Sequence, residues 1–458
     1  MATATQALPT PSAAQKAGYL FLLLYLFIVY SRVIEVALPS LRATALIYAA
    51  TLALAVLSGG FMRALSHPIG RYLAAFAIWL ALATPFSIWR GGSVDALIEV
   101  SKNLPVFFLV GGLTQDFGET RKAIHTLAYA VLTLAFLTFF FGGLMDGRLM
   151  LSTGKFANPN DLAQALVLAL PFWWLMGTKS GGGLLHRLAA FPAFAAIIFV
   201  TSRTGSRAAL IAAVGAGIVF FLHVSLSSKL KLMTVTAGAV MLAAVIVPDG
   251  LRSRYLTLFE PDEIIAPVEE VGPSQNEGGP SYEKAVGSSE SRLGLLIASL
   301  KITLEHPLFG VGPAMFQVAE SNLAQEQGQK GNWHETHNAF TQVSSEAGVP
   351  ALLFFIAVLA LSIRSAHRIH KQCGRDPKLM PLAHTALALE VSLAAYAFSS
   401  CFASVAYGNM LPTLAGLAVA LERSAAAALA ALEDKAPAVA APVPPRRRRP
   451  SLRAQAMR

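Results

Sequence analysis

Apolar residues in this chain come in long unbroken runs, not in the one-faced period of a soluble helix. Runs of the roughly 20 apolar residues needed to cross about 30 Å of hydrocarbon recur from Tyr19 to Leu421. Read in order they predict spans near 18–38, 43–62, 70–88, 94–113, 123–143, 160–177, 185–202, 205–223 and 230–248, followed by three more at 339–363, 381–400 and 402–422. The expectation is an all-α polytopic membrane protein of about twelve helices. Two joints are thin: the hop at Thr201–Ser206 and the division of the last apolar stretch at Tyr407-Gly408. No compact small-residue cleavage site follows the first run, so that run is expected to stay as an anchor.

Polar punctuation between the runs sets the orientation, because Lys and Arg resist export. With the N-terminus inside, the inner loops hold Arg63 and Arg71, Arg121 and Lys122, Lys179 and Arg187, Lys229 and Lys231, then Arg364, Arg368, Lys371, Arg375 and Lys378. The chain then divides into a cytoplasmic N-terminal tail (1–17), nine spans (18–248), a large external loop (249–338), three spans (339–422) and a basic, Ala/Pro-rich cytoplasmic tail (423–458) expected to be disordered. Within the loop, 260–287 is rich in Glu, Pro, Gly and Ser and buries little apolar area. Beyond it the pattern changes. Residues 291–304 form an amphipathic helix pattern stopped at His306-Pro307, a second helix is expected over 314–327, and Gly310-Val311-Gly312-Pro313 reads as a tight turn between them.

Composition agrees: 55% of residues are hydrophobic and 14% charged, too apolar for a soluble fold of 458 residues. The formal charge of +10 is spread between spans, with one cluster at Arg446-Arg447-Arg448-Arg449, which fits a solvated cytoplasmic anchor and gives no nucleic-acid site. Cys373 and Cys401 fall on opposite membrane faces, so no disulfide is expected between them.

Candidate chemistry gathers at the outer ends of the spans. Thr201-Ser202-Arg203-Thr204-Gly205-Ser206-Arg207 sets two arginines among hydroxyls where a bilayer makes charge costly. Either the arginines snorkel to headgroups, or they line a polar cavity and offer paired donors to phosphate oxygens. Thr204 and Ser206 are placed to cap the following helix. Arg292, at the start of the amphipathic helix, reads on its own as a solvated or Glu-paired loop residue. His334-Glu335-Thr336-His337-Asn338 marks the re-entry into the membrane, where a histidine either fixes a helix start or accepts a proton near neutral pH. His334 and His337 do not meet the HExxH zinc spacing, and no metal or cofactor is expected. Asn160 and Asp161, in Asn158-Pro159-Asn160-Asp161, are explained as a helix cap. Lys102, inside the fourth span, is either a site or a boundary marker.

Those residues, in that order and topology, resemble the O-antigen ligase family, which shares a superfamily with Wzy-type polysaccharide polymerases. The likeness rests on Thr204-Gly205-Ser206-Arg207-Ala208-Ala209-Leu210, on Ser291-Arg292 followed by Glu305-His306-Pro307-Leu308-Phe309-Gly310-Val311-Gly312-Pro313-Ala314-Met315-Phe316, on His337-Asn338 with Gly348 beyond, and on Asn158-Pro159-Asn160-Asp161-Leu162-Ala163. Two departures stand out: Ala351 replaces the family's second glycine, and the loop carries an acidic Pro/Gly-rich insert. The resemblance implies transfer of a preassembled glycan from an undecaprenyl-type polyprenyl diphosphate to an acceptor hydroxyl, on a lipid A core or a growing glycan, at the periplasmic face of a bacterial inner membrane and without metal. It assigns Arg207 and Arg292 to the diphosphate and His337 to the acceptor hydroxyl, with Arg203, Ser206, Asn338 and His334 around the donor. Polymerase, transporter and non-catalytic scaffold are the rival readings. The 291–304 helix is a candidate lid over the site.

Overall fold

The computed structural model describes residues 12–38, 43–152, 154–224, 283–326 and 333–434, together with Gly328 and isolated residues between 226 and 255. Most of the expected ninth span at 230–248, the 260–282 part of the insert and the arginine cluster at 446–449 lie outside the described residues, while 283–287, expected to be flexible, begin a helix.

Helices dominate: α1 (Ala13–Ser31), α2 (Val33–Ala37), α3 (Ala43–Leu57), α4 (Gly60–Ser66), α5 (Pro68–Ala83), α6 (Arg90–Asn103), α7 (Val106–Leu113), α8 (Phe117–Phe141), α9 (Pro159–Gly177), α10 (Leu184–Arg203) and α11 (Arg207–His223). The loop region supplies α12 (Glu283–Glu305) and α13 (Phe316–Glu326), and α14 (Ala339–Cys373), α15 (Met380–Ser400) and α16 (Met410–Glu433) complete the bundle. Among the described residues, eight helical stretches are long and apolar enough to cross a membrane, or nine if α3 and α4, bent by 74°, form one broken span. The chain is a multi-pass α-helical membrane protein. Of the remaining expected spans, α9 opens on the polar Pro159-Asn160-Asp161, and α11 is a shorter apolar helix. Among the described residues, strand occurs in one hairpin, pairing β1 (Gly143–Met145) with β2 (Arg148–Met150).

α15 is the hub. In the span Pro377–Ser400, 83% of the most apolar window is buried, against 22% for α10. Its Ala and Ser positions let neighbours approach closely, and its polar groups are satisfied internally: Ser392 Oγ donates to the Leu168 carbonyl of α9 at 2.8 Å. Neighbouring α14, α11 and α9 close around it.

Both bounds of the last span differ from the sequence reading. The last span starts at Met410, not 402, because 401–409 forms a loop whose groups bind the start of α14: Ala406 N–H donates to Gln342 Oε1 at 3.3 Å. α16 then runs past 422 to Glu433, so the first part of the expected disordered tail is helical. Lys102 lies exposed near the end of α6, ion-paired with Glu99, and joins no site.

The loop segment carries two helices with a turn between them, α12 starting at Glu283 where the pattern begins at 291. α12 turns Leu295, Ser299 and Ile302 inward, against Val311, Met315 and Phe316, and leaves Leu293, Ile297, Leu300 and Leu304 exposed. The Gly310–Pro313 turn docks into a break in α14. At Gly348 the backbone takes φ 81°, ψ 174°, a region open in practice to glycine, and Pro350 follows. The N–H groups of Val311 and Gly312 donate to the carbonyls of Ser345 and Glu346, both at 2.9 Å, and Val349 N–H returns to the Pro307 carbonyl at 2.8 Å. A Cβ on Gly348 would overlap the Leu308 carbonyl, and one on Gly310 would overlap the Glu346 backbone. Trp79 of α5 fastens the joint by donating to the Ala347 carbonyl at 3.0 Å and stacking on Phe309.

Candidate functional site

At the end of the bundle that carries α12 and α13, polar and cationic residues form two clusters. The first is built on the start of α14. Asn338 is its N-cap, its Oδ1 accepting the N–H groups of Phe340 at 2.9 Å and Thr341 at 3.1 Å. His337 precedes it with φ 52°, an uncommon left-handed conformation for a residue bearing a Cβ. Its N–H donates to Ser404 Oγ at 2.9 Å, and Thr336 Oγ1 donates to the Asn338 carbonyl at 3.0 Å, so the 401–409 loop holds the turn. This leaves the half-buried imidazole for other work.

Arg292 and His334 both act on that ring. His337 is pushed down to about 4, chiefly by burial, then by the positive charge of Arg292, then by His334. His334 is exposed, its ring centroid 6.4 Å from that of His337. Arg292 reaches this position because α12 lies along α14, with Thr303 Oγ1 and Ser344 Oγ 2.8 Å apart further along the pair. At neutral pH the site therefore presents a neutral imidazole beside a half-buried guanidinium.

The second cluster is built on the hop between α10 and α11. Ser206 caps α11, its Oγ accepting from Ala209 N–H at 3.3 Å, and Arg207 is the first helical residue with only 7% of its surface exposed. Arg203 ends α10 and is half-buried. A third arginine, missed in the sequence, joins them: Arg148 of β2 is also 7% exposed, donating from Nε to the Thr204 carbonyl and from Nη2 to Asn160 Oδ1, each at 2.7 Å. Asn160 belongs to Asn158-Pro159-Asn160-Asp161, where Asn158 is the N-cap of α9. The Asn-Pro-Asn stretch is thus both a cap and a ligand to a buried cation. The signal for Arg148 was Asp146-Gly147, both at positive φ, a hairpin turn pair flanked by Leu144-Met145 and Leu149-Met150.

The clusters share the loop-bearing end of α15. Gln164 of α9 donates to Ser399 Oγ at 2.6 Å, Gly215 of α11 packs on Phe398, and Ser404 just beyond holds His337. The geometry joins Arg292, His334 and His337 in one group, and Arg203, Ser206 and Arg207 in the other.

A second residue missed in the sequence is Glu346. It is buried on α14, and its Oε2 accepts Ala314 N–H at 3.0 Å at the end of the docked turn, with Tyr407 of the 401–409 loop facing it. Burial, then Glu346, push the Tyr407 hydroxyl well up from its ordinary value, and both loops meet at this one buried carboxyl group. The signal was an acid within an otherwise apolar span, Val343-Ser344-Ser345-Glu346-Ala347.

Comparison with known proteins adds two findings. Residues 192–356 match the family described as O-antigen ligase, a stretch that starts in α10 and contains Arg203, Ser206, Arg207, Arg292, His334, His337, Asn338 and Gly348. A 207-residue stretch, 44% of the chain, is 30% identical to the branched-chain amino acid transport system 3 carrier protein of Pseudomonas aeruginosa. That match covers 41% of the carrier, so the chain spans less than half the length of this curated relative.

Proposed function

The chain belongs to the O-antigen ligase family, and from that premise we propose that it transfers a preassembled glycan from an undecaprenyl-type diphosphate carrier to an acceptor hydroxyl. The reaction takes place at the periplasmic face of a bacterial inner membrane. The observation that carries the reading is the pairing of a neutral imidazole, His337, with the guanidinium of Arg292 at the loop-bearing end of the bundle.

Displacement at the anomeric carbon makes one C–O bond to the acceptor and breaks another to the diphosphate, while the acceptor hydroxyl loses its proton. Arg292 holds the charge that grows on the leaving diphosphate, and Arg207 does so from the second cluster, with Arg203, Ser206 and the N-terminus of α11 as further donors. His337 takes the hydroxyl proton. A base titrating near 4 is a weak one; burial is the larger cause, and the Arg292 charge, which a diphosphate neutralises, is the next. Donor binding thus raises the basicity of His337 in the complex that needs it. Asn338, its Oδ1 committed to the cap, and the exposed His334 bound the acceptor side. The acceptor is a lipid A core in a ligase or a growing glycan in a polymerase.

A deletion strain complemented with wild type, Arg207→Ala, Arg292→Ala or His337→Ala tests this, with membrane protein levels matched and lipopolysaccharide and secreted polymer read separately. Loss of transfer in all three supports the site, and the product that disappears separates ligase from polymerase. Full activity in all three refutes it. The partial likeness to an amino acid carrier favours a second reading, transport. Uptake of a labelled branched-chain amino acid into proteoliposomes, unchanged in His337→Ala, would establish that reading instead.

A further inference from the structure

At the opposite half of the bundle a second constellation stands apart from the transfer site. His223 at the end of α11, His367 of α14 and Glu390 of α15 converge, with one ligand-type atom from each within 4.8 Å of the others. His367 Nδ1 lies 3.0 Å from Glu390 Oε1, and His223 Nε2 lies 3.6 Å from the same oxygen. The Glu390 side chain is only 6% exposed, and its Oε2 is buried with no hydrogen-bond partner among the described residues.

The hydrogen bonds fix what these atoms lack. His223 Nδ1 lies 2.7 Å from the Val219 carbonyl, which only accepts, so the ring proton sits on Nδ1 and Nε2 turns its lone pair toward the carboxylate. With Nε2 unprotonated, its lone pair and the buried Glu390 carboxylate face one another, and either a proton on Nε2 or a bound metal ion satisfies both. His367, half-exposed, already places its Nδ1 in the same space, 3.0 Å from Glu390 Oε1. The cluster opens on a cleft of about 670 Å³ lined also by Leu222, Ile363 and Phe398.

We propose that His223, His367 and Glu390 bind a zinc-class divalent cation, with a fourth position open to the cleft. Two imidazoles and one carboxylate are a donor set for a borderline metal, not for Mg²⁺ or Ca²⁺, which take mostly oxygen. Bonds of about 2.0–2.2 Å to zinc put neighbouring ligand atoms about 3.4 Å apart, close to the two shorter separations here. The Val219 carbonyl on His223 Nδ1 is the supporting contact such sites use to fix the tautomer. The ion would tie α11 and α14 to the hub helix.

The test uses the full chain, purified in detergent without a histidine tag and stripped with a chelator. Isothermal titration with Zn²⁺ is expected to show one site that Mg²⁺ does not compete for. His223→Ala, His367→Ala and Glu390→Gln should each weaken it by about 100-fold or more, beyond the usual effect of losing a supporting residue, while His186→Ala leaves it unchanged. Should a variant fail to fold, the Co²⁺-loaded wild type decides: intense visible bands of four-coordinate Co²⁺ are expected, and the weak spectrum of a six-coordinate ion overturns the proposal. Absence of wild-type binding, or binding that survives all three substitutions, also overturns it. None of these readings involves glycan transfer.

Discussion

His337 sits at φ 52° between an N-cap and a serine from another loop, near enough to Arg292 for that charge to act on its ring. Because burial and Arg292 both favour the neutral form, the imidazole should titrate near 4 in the donor-free protein, and Arg292→Ala should raise the midpoint toward the ordinary histidine range. Histidine ¹⁵N NMR in detergent reads this directly, and a midpoint unmoved by Arg292→Ala would separate the two residues. The linkage sign follows. With the folded pKa below that of the unfolded chain, the unfolded state binds more protons between about pH 6.5 and 4, so this residue removes stability as the pH falls through that window and none above it. Arg207, buried at the head of α11, should lose about 10²–10³-fold in turnover as Arg207→Ala, with Arg207→Lys restoring charge but not the planar fork. The roles open to these residues were legible because arginines and a histidine at membrane boundaries have few cheap explanations. Arg148 and Glu346 were not, since each is explained only by partners distant in sequence, the Thr204 carbonyl and the Ala314 N–H.

At the scale of elements, the joint between the Pro307–Ala314 turn and the break in α14 positions everything on α12. Gly348 and Gly310 bring two backbones closer than any Cβ allows. Gly348→Ala and Gly310→Ala should each destabilise by about 1–3 kcal/mol. The double variant should cost less than their sum, because both break one joint. Thermal unfolding by intrinsic Trp79 fluorescence measures it, and strictly additive effects would mean the two glycines act separately. Helices α12 and α13 and the Gly-Pro turn were readable from periodicity and punctuation. The start of α16 was not: 401–409 is apolar enough to continue a span, and what makes it a loop is its hydrogen bonding to Gln342 and His337, a tertiary effect.

At the scale of the molecule, the two free thiols lie at opposite ends of the bundle, Cys401 exposed at the loop-bearing end and Cys373 buried at the other. A membrane-impermeant maleimide should label wild type and Cys373→Ser from the periplasmic side of intact cells, and Cys401→Ser should not react. Labelling that needs cell lysis would invert the proposed orientation. The membrane class was legible throughout, because runs of twenty apolar residues admit no other fold, whereas the breaks at Ser58–Gly59, Leu104–Pro105 and Gly348 depend on which neighbours the backbone meets. The central claim, glycan transfer with a diphosphate leaving group, is tested most directly by a single-turnover reaction. Purified protein in liposomes is given a polyprenyl-diphosphate-linked glycan and an acceptor, and free polyprenyl diphosphate and transferred glycan are measured together. The account predicts their release in equal amounts, about 10²–10⁴-fold slower in His337→Ala. Donor that stays intact with bound acceptor present, or a His337→Ala rate equal to wild type, would contradict it.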